Sequence, residues 1–192
     1  MKKFAAMLFL FVFGAVQCVH SEEKTYEIDP THTFPTFEAD HMGGLSLWRG
    51  KINRTSGKVI VDFETKTGSV DIVMDMSSID FGLVEMNDHA KSDDIFDVER
   101  FPSATYIGNL IFEGDEPVGV SGELNLHGVT KPVDLKVNRF KCMLHPLKLA
   151  RVCGADAETT IRRDDFGVDF AKAFGFDMGV LIRIGIEAIA VD

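Results

Sequence analysis

The residues able to do chemistry are few and far apart. His32, His41, His89, His127 and His145 lie in the body of the chain. Two imidazoles share a metal ion when they recur one helical turn apart, as in HxxxH or HExxH, because then both ring nitrogens face one point. None of the five is so spaced, and His32 and His41 fall on different predicted elements. A metal- or carboxylate-dependent hydrolase would have to gather His41, His89 or His127 through the fold. The alternative is that His32, His89 and His127 tie loops together by hydrogen bonds. Ser77, Ser78, Ser92 and Ser121 lie in no GxSxG elbow. Asp93, Asp94, Asp97, Asp164 and Asp165 are carboxylates without a partner motif, which is weak ground for acid–base work. Asp88 and Asp93 read better as helix caps. There is no phosphate-binding glycine loop. The expectation is a protein that is not an enzyme, with no cofactor and no metal.

Cysteine chemistry points to a crosslink. Cys18 falls within an N-terminal leader, leaving Cys142 and Cys153, an even number for an oxidising compartment. Their separation suits neither a CxxC redox pair nor a zinc knuckle. It suits a disulfide closing a hairpin loop, worth about 3 kcal/mol by loop entropy.

The apolar residues are more suggestive. Phe166, Phe170, Phe174 and Phe176 crowd one loop-like segment, with Met178 and two glycines around them. Such a segment folds either over the protein's own end or around the mouth of an apolar site. His41–Trp48 places glycines that permit motion beside Met42, Leu45 and Leu47. Leu45 and Leu47 share a face, which puts Trp48 on the opposite one unless a bulge turns it inward or a lid covers it.

The elements that must position these residues are strands. Val59, Val61 and Phe63 alternate with polar positions, as do Val70, Ile72, Met74 and Met76. Tyr106, Leu110 and Phe112 mark another strand. Val118–Leu126 and Val133–Val137, joined through the break His127–Thr130 with Pro132 after it, read as an antiparallel hairpin. Arg151–Arg162 and Gly179–Val191 are the last two strands. Residues 83–96 are polar, with Leu83, Met86 and Ala90 at helical spacing, so one or two short helices belong there. Residues 163–176 form a long acidic and aromatic connection. Many strands and few helices mean an antiparallel barrel or sandwich, and periodicity does not separate a packed interior from a hollow one.

The first residues are an address. Lys2 and Lys3 precede the apolar run Phe4–Val16, and Val19 and Ser21 suit a cleavage site, so residues 1–21 are expected to be a signal peptide and 22–192 one domain. Loss of Lys2 and Lys3 would take the formal charge from −10 to −12. A surface this acidic disfavours nucleic acid and anionic lipid headgroups.

The segment Gly122–Val133, with its L-x-L-H-G-V-T-x-P-V run, resembles the signature hairpin of the YceI family of secreted polyisoprenoid-binding proteins. Tyr26–His32, Arg49-Gly50, Ser78-Ile79-Asp80, Asn87–Val98, Phe101-Pro102 and Arg163–Gly167 match in the same order. The resemblance implies an all-β fold, an extended eight-stranded antiparallel lipocalin-like barrel with a hydrophobic tunnel. It implies a periplasmic or secreted binder, store or carrier of a long-chain isoprenoid lipid or isoprenoid quinone, with a membrane quinone-handling partner and a homodimer as further expectations. Within the tunnel, hydrophobicity and location select Phe37, Met42, Trp48, Phe81, Phe170, Phe174, Phe176 and Met178. The competing readings are the hydrolase above and a packed β-domain that mediates protein–protein interaction.

Overall fold

Alternation of apolar and polar side chains extends through almost the whole chain, and the fold follows from giving each strand one buried face. The computed structural model describes residues 22–191; the expected signal peptide, with Cys18, lies outside them. In chain order the elements are β1 (Lys24–Ile28), β2 (Phe34–His41), β3 (Ser46–Ile52), β4 (Thr55–Asp62), β5 (Thr67–Asp75), β6 (Ile79–Asp80), α1 (Val84–Lys91), β7 (Ser103–Glu113), β8 (Glu116–Leu126), β9 (Val129–Pro132), β10 (Leu135–Leu144), β11 (Arg151–Arg162) and β12 (Gly179–Val191). All their pairings are antiparallel.

Several short strands combine into longer staves. β12 pairs along one edge with β11 and along the other with β1 and then β2. β4 pairs with β1 where β3 pairs with β2. β5 and β6 continue one another in the same way, against β4 and β3. Eight staves therefore close into an antiparallel barrel, and closure leaves few free edges.

The breaks within staves are bridged by side chains. Between β1 and β2, Asp29 accepts from the Thr31 amide and hydroxyl, at 2.9 and 2.6 Å. The Thr33 hydroxyl donates to the Glu187 carbonyl at 3.2 Å and accepts from the Glu187 amide at 3.1 Å, so a side chain replaces a missing ladder rung. Between β3 and β4, the Ser78 hydroxyl accepts from the Arg54 amide at 2.9 Å and donates to the Asp75 carbonyl at 2.6 Å.

The expected hairpin is present, with one difference. Its second run begins at Val129, directly opposite Leu126, and is split by Pro132 into β9 and β10 without change of register along β8. His127 and Gly128 alone make the turn, with φ of 52° and 76°. The helical segment contains α1, whose Ala90 is fully buried and whose Met86 packs on the barrel interior. Its capping differs from expectation. Leu83 occupies the N-cap without a side-chain bond, Asp88 sits inside the helix paired with Lys91, and Asp93 follows its end.

Cys142 and Cys153 face each other across the β10–β11 hairpin and are joined as a disulfide.

Candidate functional site: an apolar tunnel through the barrel

The inward positions of the staves do not meet at the barrel axis. They surround a cavity of about 480 Å³. β12 contributes Val180, Ile182, Ile184, Ile186 and Ala188, every second residue, so the lining runs about 26 Å along this strand alone. β5 contributes Val70, Ile72 and Met74, and β8 adds Val120, Leu124 and Leu126. Beside β12, β11 presents Ala155, Ala157 and Thr159. These are small side chains where a packed core would carry Val, Ile or Leu, and they leave the axis open.

Inside the barrel wall, Tyr106 lies flat against β8. Its hydroxyl donates to the Val133 carbonyl at 2.9 Å, and burial pushes its pKa up. Gly122 makes this position available, because a Cβ there would stand 2.7 Å from the Tyr106 hydroxyl and 2.6 Å from the Ile107 carbonyl. The glycine that opens the signature hairpin is thus a seat for an aromatic ring.

One end of the tunnel is an aromatic collar. Trp48 stacks on His41 with ring centroids 4.5 Å apart, and Phe176 meets His41 edge-on at 5.7 Å. Phe81 packs against both Trp48 and Phe37, at 6.2 and 5.2 Å. Gly50 lies opposite Phe37 and lets its ring rest on β3, since a Cβ would come within 2.5 Å of it. Across the mouth Phe170 meets His89 edge-on at 4.9 Å. The opposite end is closed by Phe63 and Phe140, 6.2 Å apart, with Cys153 beside them in the wall.

Of the expected tunnel residues, the structure places Phe37, Trp48, Phe81, Phe170 and Phe176 in the lining. Met42 and Phe174 are not there. Met42 caps the β2–β3 tip in a left-handed conformation and is 58% exposed. Phe174 ends a single 3-10 turn between two left-handed residues, Ala171 and Gly175, and is 83% exposed. Met178 is buried but outside the lining, at the point where its carbonyl accepts the Arg163 amide at 2.9 Å. β3 also reverses the expected facing. Leu45 and Leu47 point outward and Trp48 inward along a regular register with β2, so neither bulge nor lid is needed to turn it. Phe63, Phe140 and the aliphatic lining were missed at the sequence level; the run of small alternate residues in β11 was the available signal.

The charged and imidazole side chains of the lining, Asp40, His41, His89 and Arg163, lie at the mouth. Among the described residues, Arg163 is the one Lys or Arg side chain in the lining. Its guanidinium donates to the carbonyls of Val168 and Phe170, at 3.0 and 2.8 Å, and burial holds its pKa below the usual arginine value. Asp40 fastens two loops: it accepts the amides of Gly43, Gly44 and Asp177 at 3.0, 2.6 and 2.9 Å. Those bonds, led by the Asp177 amide, keep its carboxyl below the ordinary range. Below the connection, hydrogen bonds from Lys172 and Arg162 hold Asp164 to about 2.

The histidines divide between wall and brace. His41 and His89 line the mouth. His127 packs on Phe101 at 4.4 Å with Nδ1 3.3 Å from the Phe166 carbonyl, tying the hairpin turn to the 163–178 connection. His32 lies against Thr31 and Asp29, at 3.0 and 3.2 Å. His145 accepts the amides of Leu147 and Lys148, both at 3.1 Å. Among the described residues, no three or more His, Cys, Asp or Glu side chains are placed to hold a metal ion.

Comparison with known proteins agrees with this geometry. The family described as YceI-like domain matches residues 26–189. A UPF0312 protein of Vibrio campbellii is 33% identical over 115 residues, which are 58% of this chain and 60% of that relative's length. One from Pseudomonas aeruginosa is 28% identical over 146 residues, covering 74% of this chain and 75% of the relative. Among solved structures, Burkholderia cenocepacia BcnA superposes with a TM-score of 0.67 at 20% identity, over 83% of this chain and 98% of its own. A domain from Saccharophagus degradans, described as polyisoprenoid binding and implicated in plant cell wall breakdown, gives 0.63 at 19% identity, over 86% and 98%. At these identities the structures share a fold with this chain.

Proposed function

The chain belongs to the YceI-like domain family, and from that premise we propose that it binds a single long-chain apolar lipid along the barrel axis. The observation that carries this reading is the continuity of the lining, from the His41–Trp48 collar to the Phe63–Phe140 floor. Each 100 Å² of apolar ligand surface taken from water into such a lining contributes about 2.5 kcal/mol before ordering costs. A slender chain fits a narrow bore better than a compact molecule does. The polyisoprenoid-binding description of the Saccharophagus neighbour supports a polyisoprenoid or isoprenoid-quinone tail as the ligand.

The placement of the charged and imidazole groups at one end sets the orientation of the ligand. Its tail lies toward the floor, and its head meets Arg163, His41 and His89. The protein then acts as a binder, store or carrier rather than as an enzyme. Loss of residues 1–21 places it in the periplasm or outside the cell, with a membrane quinone-handling protein as its exchange partner.

The test is organic extraction of the purified protein followed by mass spectrometry, with metal analysis of the same sample. The expected result is one long-chain lipid per protein and no stoichiometric metal. Trp48 emission should change when the lipid is stripped and recover when a polyprenyl compound is added. Stoichiometric metal with no lipid would favour the hydrolase reading. Neither lipid nor metal, with Trp48 emission indifferent to added polyprenyl compound, would favour a packed interaction domain.

A further inference from the structure

Met42 and Phe174, two of the three expected tunnel residues that lie outside the lining, belong to a second feature. Around the mouth, large apolar side chains stand in solvent on three separate segments. The β2–β3 tip presents Met42, Leu45 and Leu47, at 58%, 72% and 53% exposure. The 163–178 connection presents Phe174 at 83%, and the start of α1 presents Leu83 and Val84 at 55% and 69%. Two of these segments are in contact: a Cβ at Gly43 would lie 3.2 Å from the Gly175 carbonyl, and Asp40 binds amides of both. The third is joined to them through the Phe81–Trp48 contact. The rim is also continuous with the tunnel, because Phe170 is at once lining and 40% exposed.

We propose that this rim is a docking surface for a lipid bilayer, and that it seats the tunnel mouth against the hydrocarbon boundary. Several loop tips, each carrying one or two apolar side chains, suit shallow insertion into a deformable surface better than a peptide groove. The neighbouring charges choose among occupants. Glu85, Asp169 and Asp177 lie on the same segments, and Lys172 there is already paired with Asp164 at 2.8 Å. A second copy on this rim would set those carboxylates against their equivalents, and an anionic membrane would repel them. A zwitterionic surface meets neither objection. A lipid seated in the mouth would then pass between bilayer and tunnel without crossing water. The docking does not depend on which lipid the tunnel holds.

The opposite end of the barrel supplies the control. Its β10–β11 tip also carries bare apolar side chains, Met143, Leu144, Leu147 and Leu149 at 51%, 63%, 87% and 76% exposure, but on one hairpin far from the mouth. The experiment is flotation of purified protein with phosphatidylcholine vesicles, comparing wild type with Leu45→Asp, Phe174→Asp and Leu147→Asp. Wild type and Leu147→Asp should float alike. Each rim variant should lose about tenfold or more in partition coefficient, the loss expected when one large apolar side chain no longer leaves water. Thermal melts should be unchanged for all three, since the substituted side chains are exposed. Replacing part of the lipid with phosphatidylglycerol should weaken binding. Absence of flotation, loss confined to Leu147→Asp, or a strict requirement for the anionic lipid would each overturn the proposal. So would rim variants that turn a dimer into a monomer while wild type ignores vesicles.

Discussion

Ala157→Phe tests whether the barrel interior is open. Ala157 faces the tunnel at mid-height, with Val137 and Ile184 opposite it on the flanking strands. It is only 8% exposed, so a packed interior would have no room for a ring there. Forcing a large side chain into close-packed atoms costs about 1–3 kcal/mol. Placing the same ring in an empty apolar bore removes it from water and contributes about 1.5–3 kcal/mol. The two cases therefore differ in sign. In lipid-stripped protein the open tunnel predicts a rise of about 2 kcal/mol, which moves the urea midpoint up by roughly 1 M at an unchanged slope. The same ring blocks the bore, so lipid recovered by extraction of the unstripped variant should fall well below the wild-type amount. A lower midpoint in stripped protein, together with wild-type lipid content, would refute the tunnel as the binding element.

Other expectations follow from single contacts. Gly122→Ala puts a methyl against the Tyr106 ring and the Ile107 carbonyl, and should lower stability by about 1–3 kcal/mol in urea titration; a change under about 0.5 kcal/mol would mean that the Tyr106 ring is not fixed there. Reduction should add the mass of two hydrogens and, through release of the β10–β11 loop, remove about 3 kcal/mol of stability; two thiols alkylated in native, unreduced protein would contradict the bond. Asp40 titrates below its unfolded value, so its contribution is present above about pH 4 and is lost as pH falls through its folded value. Lipid release measured by Trp48 emission should therefore quicken as pH falls below about 4, and Asp40→Asn should remove that step.

The order and boundaries of the later strands follow from the sequence because alternation in β11 and β12 is uninterrupted, and a period of two has one structural meaning over that length. Where strands are broken, the same logic gives short pieces and hides the staves. Asp29–Thr33 reads as a loop, yet the Thr33 hydroxyl completes the ladder and lets β1 and β2 act as one edge. In β3, Leu47 and Trp48 are both apolar and adjacent, so hydrophobicity alone cannot say which faces in. Pairing of Trp48 with Ala39 on β2 decides it. The mouth residues divided for a related reason. Phe170 and Phe174 have the same chemistry and sit four positions apart, but only the former is turned toward the barrel. Two left-handed residues carry the latter outward. The void itself was written in Ala155 and Ala157, residues that hydrophobic scales rank too low to draw attention.

The double engagement of β12 has a consequence for how the molecule comes to be. Tyr26 lies opposite Ala190, and Phe37 lies opposite Ile182, so one edge of the β1–β2 stave finds its partner only in the last strand of the described chain. Until that strand is in place, β11 and the β1–β2 stave each present an open row of amides and carbonyls to any passing strand. Contacts this distant in sequence assemble slowly, because the intervening chain must be gathered first. Losing a few residues from the end of β12 would not trim the barrel gradually. It would unlatch β1 at positions 188–191 and leave a sheet with two sticky margins. Such a species is the one most prone to join others edge to edge, and aggregation during synthesis should be the first symptom of damage at this seam.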